Sequence, residues 1–239
     1  MVYKILYITT LLGLLTATSL IAQEDIPKNW NTEKIKGTRL IPYATYSGSA
    51  YLNEKFATGE IEFLDGTKIE DLKLRYSIYR DEIIYYNEAI SSQIIIDKIS
   101  LKGFAFIDGN GVKRIFRQQY FNGFMPGNRY FEVLSDGDIS LLVYRKVILQ
   151  ICPVYTNNAG KLLNMSYQEA FSYYFYSGEK GYELTRLNRN SFLSKFDKPI
   201  QKSVKKILRK NNVSITNEAS FVQAWNLIKE NGIKINFSK

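Results

Sequence analysis

Residues 46–90, YSGSAYLNEKFATGEIEFLDGTKIEDLKLRYSIYRDEIIYYNEAI, decide the fold class. Alternate side chains of a strand point to opposite faces, so an apolar period of two indicates a strand with one packed face. Asp65-Gly66 supplies the positive φ angles of a tight hairpin turn, and Arg80-Asp81 separates the next β-prone run, 83–86. The stretch therefore predicts at least three successive antiparallel strands. Its alternating run places Leu72, Leu74, Tyr76 and Ile78 on one face and Lys73, Arg75, Ser77 and Tyr79 on the other.

Further strands follow at short intervals, separated by turn signals. Asp108-Gly109-Asn110-Gly111 predicts a hairpin that joins 103–107 to 112–117. Asp136-Gly137 separates 129–134 from the run 139–149, which is apolar on both faces except at Arg145 and so predicts one central strand. This spacing favours an antiparallel sheet, roll or sandwich over βαβ units.

Residues 167–176, YQEAFSYYFY, are compatible with two structures. Ser166 and Glu169 have the spacing of a helix capping box, which favours a helix. The density of aromatic residues favours a strand, paired with 182–187 across a Gly-containing turn. We prefer the strand.

The last fifty residues change to a helical period. Asp197 is positioned to cap a helix with Pro199 in its first turn, and Asn211-Asn212 ends it. Asn217 is positioned to cap a second helix that Asn231-Gly232 terminates. The chain is thus predicted to be α+β: an antiparallel β-meander, roll or sandwich over 46–187, and a basic helical hairpin over 188–239, packed on it or appended.

The N-terminal residues 1–22 have the pattern of a signal peptide. Lys4 provides the positive charge, an apolar run follows, and cleavage is expected between Ala22 and Gln23. This pattern predicts export to the periplasm or the extracellular space, with 23–45 as an extended lead-in. The alternative is an uncleaved membrane anchor, because 5–23 nearly reach the roughly 20 residues that span a bilayer.

The composition excludes several kinds of chemistry. No histidine occurs, which excludes Ser-His-Asp and Cys-His catalysis and histidine-ligated zinc. Cys152 is the single cysteine, so no intramolecular disulfide forms, and its apolar neighbours predict that it is buried. The turn at Asp108 is too short for a calcium loop. We expect no catalytic residue, no metal and no cofactor.

A family resemblance rests on residues 48–83 and on the tail. This segment resembles a pattern found in uncharacterised small secreted β-rich proteins of Bacteroidota, YLN–F–x–G–x–V/I–x–F–x–DGT–K followed by LRYNIYxDEI. The aromatic 173–176, the hairpin at 182–187 and Phe196-Asp197-Lys198 before a lysine-rich helix resemble their tail. Ser77 departs from the expected Asn. The resemblance implies export and a β-rich fold, and it carries over no activity and no site residue.

The positive charge is concentrated in the tail. The chain has a net charge of +9, and residues 180–215 hold ten lysines and arginines against Glu183 and Asp197. Such a field attracts anionic lipid headgroups or other polyanions, although the same pattern occurs on helices that lysine merely keeps soluble. We do not expect nucleic acid as a partner, since no reading motif is present. The candidate binding residues are Lys202, Lys205, Lys206, Arg209 and Lys210.

Three functional hypotheses follow. The leading one is a non-enzymatic envelope or extracellular interaction or structural module, whose 18 tyrosines and 14 phenylalanines provide surfaces for an unknown protein or envelope component. The second is a binder of anionic envelope surfaces through the basic helix. The third is a carboxylate-dependent hydrolase, which requires two carboxylates about 5–10 Å apart in a cleft.

Overall fold

The computed structural model describes residues 34–123, 126–152 and 164–237. Within them lie thirteen strands and three α-helices. The strands are β1 Gly37–Arg39, β2 Ala57–Phe63, β3 Lys68–Ser77, β4 Glu82–Asn87, β5 Ser92–Ile96, β6 Leu101–Ile107, β7 Lys113–Phe121, β8 Gly127–Ser135, β9 Ser140–Tyr144, β10 Val147–Cys152, β11 Asn164–Glu169, β12 Ser172–Ser177 and β13 Gly181–Thr185. The helices are α1 Arg189–Leu193, α2 Lys198–Lys210 and α3 Glu218–Glu230.

Eleven of these strands form one sheet in the order β1-β5-β4-β3-β2-β6-β7-β8-β9-β12-β13. Every pairing in it is antiparallel, and β10 and β11 form a separate two-stranded ribbon. The C-terminal helices pack on the sheet. The α+β fold class predicted from the sequence is therefore confirmed.

The predicted hairpins are present: β2 pairs with β3, and β3 pairs with β4. Gly66 has a φ of 83°, and the turn closes with a hydrogen bond of 3.0 Å from its amide to the Phe63 carbonyl. Leu72, Leu74 and Tyr76 are buried, as the alternation predicted. Ser77 is also fully buried, so its assignment to a solvent-facing side was wrong. Ser77 pairs with Glu82 of β4 on one side and forms an isolated bridge with Tyr51 on the other, so neighbours lie on both sides of this end of β3.

The sheet curls so that distant strands share one core. Tyr76 of β3 and Tyr130 of β8 have ring centroids 6.1 Å apart, although four strand spacings, about 19 Å in a flat sheet, separate them. Phe104 and Phe116 stack at 4.6 Å between them. The rings of β3, β6, β7 and β8 thus meet inside the roll, in the first of two cores.

The run 139–149 is two strands, because the chain changes sheets at Arg145-Lys146. β9 stays in the large sheet, whereas β10 leaves it, and the amide of Val147 donates to the Ile78 carbonyl at 3.1 Å. The prediction of one central strand was therefore wrong. Arg145, the single interruption of the apolar face, lies at the break and is buried.

Residues 167–176 are extended, as preferred, but they are also divided between two strands. β11 ends at Glu169 and pairs with β10, while β12 begins at Ser172 and pairs with β9 and β13. The sheet change at Arg145 forces this second break, because a strand paired to β10 cannot continue into the sheet that holds β9.

The helices form the second core against the last strands. Phe175 of β12 packs against Trp225 of α3 with ring centroids 4.8 Å apart, and Val204 and Leu208 of α2 complete the layer. Asn217 caps α3, as predicted, and it forms a capping box with Ser220 that was not predicted. Asp197 precedes α2 but makes no capping hydrogen bond. Its carboxylate accepts from Asn236 instead.

Several predictions fall outside the described residues. The signal peptide 1–22, the alternative anchor 5–23 and residues 23–33 of the lead-in all precede residue 34. Of the lead-in, β1 is an edge strand on β5. The side chain of Cys152 also lies outside the described part, so its predicted burial stays a prediction. No helix in the described ranges is long and apolar enough to cross a membrane.

Candidate anion-binding surface

The basic surface is the outward side of α2, whose inward side is anchored in the second core. Val204 and Leu208 are buried, and Ile200 and Ile207 pack against the same cluster. Since these apolar residues are occupied by protein contacts, the orientation of the helix about its own axis is set. The remaining side of α2 faces away from the core.

All five predicted residues lie on this outward side and are exposed: Lys202, Lys205, Lys206, Arg209 and Lys210. Lys198, which the sequence reasoning missed, joins them at the start of the helix. A helical turn of 3.6 residues places the six cations within an arc of about 140°, along a helix about 20 Å long. The helical spacing that places the apolar residues on the inward side also places Lys198 on the outward side. We name these six residues the α2 basic face.

The α2 basic face is a cluster of cations that has no ion pair within the described ranges, whereas several lysines on the sheet surface are paired. On the sheet surface, Lys102 pairs with Glu62 at 2.8 Å, Lys113 with Glu60 at 2.9 Å, and Lys73 with Glu88. Among the described residues, none lies within ion-pair distance of the six α2 cations, and α2 itself contains no acidic residue. The positive charge of this helix is therefore not neutralised locally.

A buried ionic network attaches the helices to the sheet. Arg145, 4 % exposed, donates from Nε to Glu132 of β8 at 2.6 Å and from a terminal nitrogen to Glu218 of α3 at 2.7 Å. Tyr173 of β12 donates to the second oxygen of Glu218 at 2.8 Å. Burial raises the pKa of Glu218, but the hydrogen bond and charge of Arg145 outweigh it and leave the pKa lowered. The network therefore holds α3, and through it α2, in place.

Carboxylates that line a cavity are the groups a carboxylate-dependent hydrolase would use. Glu60 and Glu62 both line a surface cavity of about 640 Å³, and two residues along one strand face lie about 7 Å apart. Each is paired with lysine, and the hydrogen bond from Lys102 lowers the pKa of Glu62. A glycosidase needs one carboxyl group that retains its proton near neutral pH. The lowered pKa of Glu62 favours its ionised form, so Glu62 does not meet this requirement.

A second cavity, of about 750 Å³, lies between the β8–β9 turn, the β12–β13 turn and the C-terminal segment. Asp136 lines it, and the hydrogen bond from Arg117 lowers the pKa of Asp136 to about 2. Trp225 also lines it, but its indole N–H is shielded from solvent and has no partner among the described residues. The cavity therefore presents neither a proton-bearing carboxyl at Asp136 nor an accessible indole donor.

Asp81 is the aspartate whose pKa is raised. Burial raises its pKa, although Lys98 and Tyr76, which donate to its two oxygens, counteract that effect. Asp81 lines neither cavity. Its oxygen also accepts from the Tyr130 amide at 3.4 Å, at the edge of β8 where β9 has ended. Asp81 therefore has a structural explanation, as the residue that closes this edge.

Comparisons with known proteins leave the function open. No family model, curated protein or solved structure matches the chain. The resemblance to secreted proteins of Bacteroidota thus stays a prediction. No group of three or more candidate metal ligands occurs within the described ranges.

Proposed function

We propose that this protein is an exported, non-enzymatic interaction module that attaches to anionic lipid surfaces of the cell envelope through the α2 basic face. The observation that carries the proposal is the contrast in ion pairing. Six exposed cations lie together on α2 with no carboxylate partner among the described residues, whereas several lysines of the sheet surface, Lys73, Lys102 and Lys113, are paired. Unpaired, clustered lysines keep their full attraction for a membrane surface.

The packing of α2 determines how it would bind. Its apolar residues, Val204 and Leu208, are buried in the second core and are not free to insert among acyl chains. Attachment is therefore electrostatic, with the helix lying along the headgroups. Such attraction falls off within a Debye length, which shortens from about 30 Å at 0.01 M salt to about 8 Å at 0.15 M.

Sedimentation with lipid vesicles tests the proposal. The full-length protein should sediment with phosphatidylglycerol-containing vesicles and not with phosphatidylcholine alone, and added salt should weaken the binding. Each basic residue near such a surface contributes about 1 kcal/mol, so exchange of five for glutamine should weaken binding by more than about a thousandfold. The test variant carries Gln at Lys202, Lys205, Lys206, Arg209 and Lys210.

A control variant with the same change in net charge tests whether the position matters. It exchanges five lysines outside α2 that have acidic partners, Lys34, Lys68, Lys73, Lys102 and Lys113, for glutamine. We expect it to retain most of the binding. Equal losses in both variants would contradict a role for α2. Binding to soluble polyphosphate but not to the vesicles would refute the lipid partner and identify a polyanion.

A further inference from the structure

A second candidate site lies at the other half of the sheet, where five tyrosines form a continuous chain of rings. Their centroids are 5.6 Å apart for Tyr51–Tyr43, 5.9 Å for Tyr43–Tyr79, 5.1 Å for Tyr79–Tyr167 and 5.7 Å for Tyr167–Tyr46. They come from the segment 43–51, the turn between β3 and β4, and the strand β11. Four of the five are partly exposed, and Tyr167 is buried. We name them the tyrosine cluster.

The tyrosine cluster is supported by backbone hydrogen bonds on both sides. The Tyr167 amide donates to the Ser47 carbonyl at 2.8 Å, and the Tyr79 amide donates to the Ala50 carbonyl at 3.1 Å. The phenol of Tyr167 also donates to the Ala44 carbonyl at 3.3 Å. The segment is thus attached to two separate strands. The arrangement is preformed, as in most sites that bind small ligands.

A cavity of about 280 Å³ opens among these rings. Four members of the cluster line it, together with Glu54, Arg75 and Gln93. Its volume lies just below the roughly 300–1,000 Å³ of sites for drug-sized molecules, so the occupant is small. Polar groups remain available around it. The phenols of Tyr46 and Tyr51, the carboxylate of Glu54 and the amide nitrogen of Gln93 have no hydrogen-bond partner among the described residues.

The position of Arg75 narrows the chemistry of the occupant. Its guanidinium lies 3.9 Å from the ring centroid of Tyr51 and 4.6 Å from that of Phe56, and it donates to Gln93 at 2.7 Å. It therefore holds Tyr51 in place. Among the lining residues, Arg75 and Glu54 are the two charged ones, and their charges are opposite. The lining is therefore neutral in sum and selects neither a cationic nor an anionic ligand.

We propose that this cavity binds one sugar residue of a neutral glycan. A pyranose ring presents an apolar C–H face that packs on tyrosine rings and, around its edge, hydroxyl groups that donate and accept hydrogen bonds. The cavity offers both kinds of contact: ring faces, and free groups that comprise a carboxylate acceptor, amide donors and phenols. A sugar satisfies them without adding a charge.

Saturation-transfer NMR of the full-length protein tests the proposal with named probes. They are maltotriose, mannotriose and the trimer of N-acetylglucosamine, with choline as the cationic probe and decaproline as the peptide probe. We expect at least one trisaccharide to bind saturably in the millimolar range or tighter. Tyr46→Ala should weaken that binding by about tenfold, the scale of one aromatic contact.

Two further variants separate loss of binding from loss of folding. Tyr46→Phe keeps the ring and removes only the unpartnered phenol, and it should weaken binding by about threefold to tenfold, the scale of one hydrogen bond. Tyr120→Ala, on an exposed ring of β7 outside the cavity, should leave binding unchanged. The proposal is overturned if no trisaccharide binds, whether or not choline or decaproline does. It is equally overturned if Tyr46→Ala and Tyr120→Ala bind alike.

Discussion

Replacement of Arg145 by methionine is the sharpest test of how the two parts of the protein are held together. Arg145 joins Glu132 of the sheet to Glu218 of α3, and it is almost fully buried. Methionine keeps much of the apolar stem and removes the charge. The change therefore leaves Glu132, a carboxylate with a side chain 6 % exposed, without its partner at 2.6 Å.

The expected cost follows from these surroundings. Removal of one partner from a buried ion pair costs about 3–5 kcal/mol, because the other charge remains buried. Here Glu132 keeps Arg114 at 3.2 Å, and the side chain of Glu218 is 29 % exposed, so both carboxylates retain some compensation. We therefore expect the low end, about 3 kcal/mol of unfolding free energy. For a chain of this size that corresponds to a melting temperature lower by about 6–12 °C.

Urea denaturation, followed by circular dichroism and tryptophan fluorescence, measures this free energy. The matched control is Arg39→Met, which removes an exposed arginine from the edge strand β1 and should change stability by less than about 0.5 kcal/mol. The double variant Arg145→Met/Glu132→Gln should lose less unfolding free energy than the sum of its single changes. The second change removes the Glu132 charge that Arg145→Met leaves without its partner. If Arg145→Met costs no more than Arg39→Met, the network does not hold the helices on the sheet.

Two further predictions concern pH and packing. Arg117 lowers the pKa of Asp136 to about 2, below its ordinary value near 3.9, so this carboxylate stabilises the fold above that value and loses its contribution as the pH falls toward 2. In Arg117→Gln, the unfolding free energy measured by urea denaturation should fall less steeply as the pH is lowered. The difference from wild type should be less than about 1 kcal/mol because the pair is largely exposed. Asp81 contributes with the opposite sign, since burial raises its pKa, and its contribution cancels in the difference between variant and wild type. That difference reports the carboxylates near Arg117, which are Asp136 first and Glu62 to a lesser degree. An unchanged profile would show that the pair contributes nothing. Gly103→Ala should destabilise the sheet by about 1–3 kcal/mol in the same assay, because a Cβ there would lie 2.3 Å from the Phe116 carbonyl oxygen. Gly109→Ala, in the β6–β7 turn with open space around it, is the control and should stay within about 0.5 kcal/mol; equal effects would contradict the close strand packing.

Local patterns predicted most of the secondary structure. The alternation in residues 72–78 and the Asp-Gly turns identified β2, β3 and their hairpin, since strand faces and tight turns depend on neighbours in the sequence. The helical period of 200–210 also predicted which residues of α2 face outward, including the five basic candidates. Ser77 was misassigned because one of its bridge partners, Tyr51, lies 26 positions earlier in the chain.

The sequence marked Arg145 only as an interruption of an apolar run. That it ends β9 and redirects the chain to a second ribbon depends on Glu132 and on Glu218, which is 73 residues later. The tyrosine cluster could not be predicted from the sequence either, because its rings come from three separate stretches of the chain. High aromatic content was visible, but which tyrosines surround a cavity was not.

By itself, the sequence determined the α+β class, the antiparallel hairpins, the concentration of positive charge in the tail and the absence of histidine chemistry. These properties follow from composition and from interactions between residues a few positions apart. Only the tertiary structure decided that the sheet curls, that it divides at Arg145, that the α2 cations lack ion-pair partners among the described residues and that tyrosines enclose a cavity. Each of these depends on contacts between distant segments, whose geometry is set by how the whole sheet twists and packs.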